Sequence, residues 1–181
     1  MSFDKEAKTW DQNPKKAERA RVFAKEILHF IKPNNEMTAM EFGSGTGLLS
    51  EQLKDYFHSI SLLDTSEGMI EVLKEKIIEK KLSNFYPYQI DLTKDTFDQK
   101  DFDVIYMSMT LHHIPDLDNV IKIFHSKIKR DGYLCVADLE KEDGTFHSSS
   151  DYDGHLGFDR HALEDLLYQH GFKAIYYAQP Y

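Results

Sequence analysis

A single cysteine, Cys135, excludes an intrachain disulfide. It stands inside the apolar run Tyr133–Ala137, where a small core side chain is expected rather than a nucleophile. No apolar stretch approaches membrane-spanning length, and Met1 to Asp11 is polar, with no signal-like apolar segment. A cytoplasmic protein without a membrane partner is therefore expected. Excess positive charge is also missing. With 22 Lys and Arg against 31 Asp and Glu, the net charge is −9, and the basic residues form no stripe, so nucleic acid is not an expected partner. No repeat or low-complexity tract divides the 181 residues, a length suited to one domain.

What is present is an alternation of helical and strand patterns. Asn13 as N-cap and Pro14 at the first position start a helix with apolar Ala20, Phe23, Ile27, Leu28 and Ile31, stopped by Pro33. Strands are expected at 37–42, 60–64, 85–90, 102–107, 133–138 and 172–177, and a helix at 46–57. Ser66, Asp116 and Asp159 can cap the other helices, with Lys127, Lys129 and Arg130 in the last turn of the second and Gly171 closing the third. Such a rhythm predicts an α/β fold: a doubly wound, mostly parallel sheet with helices on both faces. Ligands of such sheets lie outside the carboxyl ends of the strands.

The chemistry-bearing residues fall at those ends. The first strand runs into Glu41-Phe42-Gly43-Ser44-Gly45-Thr46-Gly47 and a helix. Glycines let a ligand lie on the backbone. The spacing is not the G-x-G-x-x-G of dinucleotide binding, since Leu48 holds the third glycine position, and no Gly-Lys-Ser/Thr follows as in a P-loop. After the second strand come Asp64-Thr65-Ser66-Glu67-Gly68-Met69, after the third Asp91-Leu92, and after the fourth Met107-Ser108-Met109 and Leu111-His112-His113-Ile114-Pro115-Asp116.

Together, over roughly residues 37–172, these pieces resemble the class I S-adenosylmethionine-dependent methyltransferases, of the small-molecule branch. The resemblance implies a Rossmann-like core at 37–181, a helical lid at 1–32 and one methyltransferase domain over 1–181. It implies S-adenosyl-L-methionine as cofactor, with S-adenosyl-L-homocysteine as product. Glu41, Gly43, Ser44, Gly45 and Gly47 would follow the methionine part, and Asp64 would hold the ribose, with Thr65 next to it in the site. Met69, Asp91, Leu92 and Met107 would complete the site. Met69 is equally readable as core and Asp91 as a turn cap. His112 or His113 is the candidate general base, the alternative being that either orders its loop; no metal site is expected. Asp138, Glu140, His147, Asp151, Asp153 and His155 lie where an acceptor could be met. Trp10-Asp11, behind Phe3, either folds over the cofactor or anchors the terminus. The family's sheet usually has seven strands, and the expected strand at 172–177 runs into Gln179-Pro180-Tyr181, so the seventh is expected to be missing, with oligomeric state left open. The implied reaction is methyl transfer to a small-molecule acceptor. A catalytically silent S-adenosylmethionine-binding module or partner subunit is the alternative, and a nicotinamide oxidoreductase or a macromolecule methyltransferase fits less well.

Overall fold

The computed structural model describes residues 3–141, 154–173 and 176–179. Two short turns of helix come first, α1 (Phe3–Glu6) and a 3-10 segment (Ala7–Gln12), in a stretch with no readable periodicity. They lead into α2 (Pro14–Ile31), which Asn13 caps by accepting from the Lys15 amide and which ends at Lys32 in the left-handed region, just before Pro33. The core then alternates β1 (Thr38–Phe42), α3 (Leu48–Leu53), β2 (Ser59–Asp64), α4 (Glu67–Lys80), β3 (Phe85–Gln89), β4 (Phe102–Ser108), α5 (Leu117–Lys127), β5 (Ile128–Ala137) and α6 (Arg160–Gln169).

The five strands form one parallel sheet in the order β3-β2-β1-β4-β5. The inner strands β1, β2 and β4 are mostly apolar because both of their faces are covered. Alternate residues feed two cores. Ala39, Ile60, Leu62, Val104 and Tyr106 meet α2, α3 and α4. Met40, Phe42, Leu63, Ile105 and Met107 meet α5, with Leu163, Leu166 and Leu167 of α6 packed alongside. The strand order reverses between β1 and β4, and the glycine loop lies at that switch point, where such sheets open a crevice.

The expected caps are all made: Ser66 accepts from the Met69 amide, Asp116 from Asn119 and Asp159 from Ala162. Two expectations are corrected. α5 ends at Lys127, not Arg130, because Ile128 is extended and pairs with Phe102; the chain then turns through Asp131 at φ 64° before rejoining β4 at Tyr133. At 172–177 the described residues Phe172, Lys173, Tyr176 and Tyr177 pair with no strand. Side chains hold this segment instead: Tyr176 lies against Phe30, and Tyr177 donates to Glu140 beneath Arg160.

Candidate functional site

β1 delivers the glycine loop over the end of β2. The amides of Gly43 and Ser44 both donate to the Leu63 carbonyl, at 2.8 and 2.9 Å, which folds the loop back across the neighbouring strand. Gly43 and Gly47 need to be glycine for two reasons at once. Both have positive φ (69° and 79°), and a Cβ would stand 2.3 Å from Thr110 Cγ2 at the first and 2.8 Å from Leu73 Cδ1 at the second. Gly45, also at positive φ, is the least crowded of the three, with Trp10 Nε1 at 3.7 Å and Met69 Sδ at 3.8 Å in ordinary contact with its Cβ position. Ser44 is buried, and among the described residues its hydroxyl is the one buried side-chain polar atom without a hydrogen-bond partner.

Asp64 ends β2 directly across from the loop. One carboxylate oxygen accepts the Gly45 amide at 2.7 Å and the other the Ser66 amide at 2.9 Å. Burial raises its pKa, and the two amides pull the other way. A carboxylate oxygen has more than one acceptor site, so both retain capacity for a further donor. Thr65 is exposed beside it, while Met69 is buried with its sulfur 3.8 Å from the Gly45 Cβ position.

Other expected site residues are engaged elsewhere. Glu41 is 3% exposed beneath the loop, and its carboxyl accepts from Ser50, whose hydroxyl is also 2.6 Å from Tyr106 Oη. Desolvation pushes its pKa up to about 8. The Asp91 carboxylate accepts from Thr93 and from Lys94 Nζ, capping a turn after β3; Leu92 and Met107 are core residues of the α5 face. The Cys135 thiol packs against the other core, where burial pushes it up to about 12, outside the range of a nucleophile at neutral pH.

The histidines part company. His112 is 1% exposed, and its Nδ1 lies 2.5 Å from Asp138 Oδ1. Asp138, at the end of β5, also accepts the amides of Leu111, His112 and Leu139, so one carboxylate organises the turn after β4. His113 is half-buried against the Phe3 ring, 5.5 Å between centroids. His155 donates its amide to the His112 carbonyl, bringing the far side of the 140–157 segment to the same turn. His147, Asp151 and Asp153 lie outside the described residues. Among the described residues, no group of three His, Cys, Asp or Glu is arranged to hold a metal ion.

Two residues beside the site, Asp4 and Lys76, were not singled out as functional in the sequence. Asp4 accepts from the Ser66 hydroxyl (2.6 Å) and the Gly68 amide (2.9 Å). Asp11 accepts from the Thr46 hydroxyl and pairs with Lys76, while Trp10 comes to 3.7 Å from the Gly45 Cβ position. The segment of residues 3–12 thus lies across the glycine loop and the start of α4. Lys76 carried a readable signal, since it follows Met69 and Leu73 on the buried stripe of α4, where a cation needs partners. Asp4 carried none.

A family model described as a methyltransferase domain matches residues 16–177. An uncharacterised methyltransferase of Schizosaccharomyces pombe is 35% identical over 120 residues, 62% of this chain and 42% of that protein. A ubiquinone biosynthesis O-methyltransferase of Pelagibacter ubique is 32% identical over 110 residues, 61% of this chain and 45% of that protein. The chain thus spans less than half the length of these two curated relatives. A solved S-adenosylmethionine-dependent methyltransferase of Aquifex aeolicus superposes with a TM-score of 0.71 over 94% of this chain and 88% of that one, at 20% identity, a likeness of fold.

Proposed function

The chain belongs to the class I S-adenosylmethionine-dependent methyltransferase family, and from that premise we propose that it is an enzyme that transfers the methyl group of S-adenosylmethionine to a small-molecule acceptor. The observation that carries the cofactor assignment is the convergence at Gly45. A glycine whose Cβ position meets only Trp10 and Met69, the half-buried Asp64 carboxylate with acceptor capacity left on both oxygens and the neighbouring unpartnered Ser44 hydroxyl stand together at the end of β2. Those groups fit a nucleoside whose ribose hydroxyls donate to Asp64 and whose amino-acid part lies along residues 43–47, with Met69 and Thr65 beside it. When bound, the cofactor supplies a methyl carbon already activated by its sulfonium, so the chain's own task is orientation and exclusion of water. The 3–12 segment closes the site on one side. His112 is the base we favour: Asp138 holds both its Nδ1 side and its backbone, which fixes an imidazole in the turn after β4 beside the end of β5. His113, packed on Phe3, shapes the entrance. The acidic chain and the ubiquinone O-methyltransferases among its relatives support a small acceptor over a nucleic acid. The deep burial of His112 favours a second reading, a module that holds the cofactor without turnover.

Calorimetric titration with S-adenosylmethionine and, separately, NAD tests the cofactor. The expected result is micromolar binding of the first only, weakened about 10- to 100-fold in a folded Asp64→Ala protein, the loss expected for a charge-assisted hydrogen bond. Binding indifferent to Asp64 would overturn the assignment. Methyl release to a panel of phenolic and amine acceptors, absent in His112→Gln with cofactor binding retained, would separate enzyme from silent module.

A further inference from the structure

Lys76 is a buried cation with three acceptors. Its Nζ donates to the Thr46 carbonyl in the glycine loop at 2.8 Å, pairs with Asp11 Oδ2 at 2.5 Å and lies 3.5 Å from Glu51 Oε2. An ammonium carries three protons, and each points to a different part of the site: the loop, the N-terminal segment and α3. Asp11 closes the ring by accepting from the Thr46 hydroxyl, so loop residue Thr46 and Asp11 are joined directly as well as through Lys76. A buried charge of this kind is tolerable only while its partners are in place. Directly before Asp11 comes Trp10, the chain's single tryptophan, with Lys16 Nζ over its ring and its indole nitrogen 3.7 Å from the Gly45 Cβ position.

We propose that Lys76 is a positioning residue: its ammonium fastens the segment of residues 3–12 to the glycine loop, so that Trp10 is seated as a wall of the cofactor site. The inference rests on the cofactor reading above for its effect on affinity, but the fastening itself is a property of the ligand-free chain. Lys76 reaches the loop and the segment through Thr46 and Asp11.

The test is a double-mutant cycle with Asp11→Ala and Lys76→Met, read two ways. In ligand-free protein, each single variant is expected to move the Trp10 emission to longer wavelength and to speed tryptic cleavage after Lys5 and Lys8. On S-adenosylmethionine titration, each is expected to weaken binding about tenfold, and the double variant no more than either single, since contacting residues of one network are not additive. Asp11 sits at the surface, so Asp11→Ala keeps the test if Lys76→Met fails to fold; Asp11→Asn, which keeps an acceptor for Thr46 and loses the charge, should fall between it and the wild type. Unchanged Trp10 emission and tryptic rate in Asp11→Ala would overturn the proposal, as would losses that multiply in the double variant. Failure of the wild type to bind S-adenosylmethionine would instead remove the cofactor reading, and the ligand-free arm would still decide whether Lys76 fastens the segment.

Discussion

The middle of the sheet and its β5 edge are built differently. In the middle, β1 and β2 are buried through most of their length, and α4 sinks Met69, Ile70, Leu73 and Lys76. At the edge none of the residues of β5 is fully buried, and α6 buries none of its residues. Each region holds one deeply buried carboxyl, and these too contrast. Asp138 collects three backbone amides and the His112 ring. Glu41 has one hydroxyl partner, and burial dominates its ionisation. A site for an invariant ligand can be built into a core, where every group is constrained. A site for a particular acceptor is assembled from edges and connections that few contacts constrain.

The largest effect expected from this contrast is in the pH dependence of stability. Glu41 has a folded pKa of about 8 against an ordinary 4.5. Between those values the folded protein keeps a proton that the unfolded chain releases. Stability therefore falls as pH rises through that window, by at most about 1.4 kcal/mol per pH unit, and on the order of 3 kcal/mol across it. Glu41→Gln, a neutral isostere, should remove most of that slope in urea titrations between pH 5 and 8 and make the variant the more stable protein at pH 8. Burial raises Asp64 in the same sense, so a small residual slope of the same sign is expected. A variant with the wild-type slope would show that Glu41 is solvated, and the buried middle would lose its defining feature.

The two regions meet at Gly43, where the glycine loop after β1 touches Thr110 after β4. Gly43→Ala combines a left-handed backbone with a Cβ 2.3 Å from Thr110 Cγ2. The expected cost is about 2–4 kcal/mol, from left-handed strain and overpacking together. Adding Thr110→Gly should recover the overpacking part and leave the strain of φ 69°, measured as two steps in the denaturation midpoint. Full recovery would mean that contact alone requires glycine there.

How much was readable in the sequence follows the same divide. Asn13, Ser66, Asp116 and Asp159 were legible as caps because a cap is a local event of side chain and nearby amide. The strands β1, β2 and β4 were legible because burial on both faces leaves a mostly apolar run. Asp64 was legible from its place at the end of β2 beside a glycine loop. The segment of residues 3–12 was not: four residues of α-helix and a 3-10 turn carry no period, and its order comes from Asp4 and Asp11 reaching residues more than thirty positions away. The early end of α5 was missed because Ile128 fits an amphipathic helix as well as a strand, and only its pairing with Phe102 decides. The two readings of Asp91 could not be separated without knowing that Thr93 and Lys94 fold back onto it.

The smallest expected effect compares two of those caps. Ser66 is buried at the start of α4, accepts the Met69 amide at 3.2 Å and donates to Asp4 at 2.6 Å. Asp159 caps α6 in the open, with the Ala162 amide holding its carboxyl below the usual range. Both are N-caps, so the local hydrogen bond lost in an alanine variant is alike; what differs is the structure each helix supports. α4 is part of the main core, so Ser66→Ala should lower the global denaturation midpoint, by about 1 kcal/mol, with an added loosening of Asp4. α6 contributes no fully buried residue, so its cap bears on a local opening. Asp159→Ala should leave the global midpoint in place and speed amide exchange across Arg160–Gln169 alone. A global shift as large as that of Ser66→Ala would mean that α6 unfolds with the core, and the middle and the β5 edge of the sheet would then be one cooperative unit despite their unequal burial.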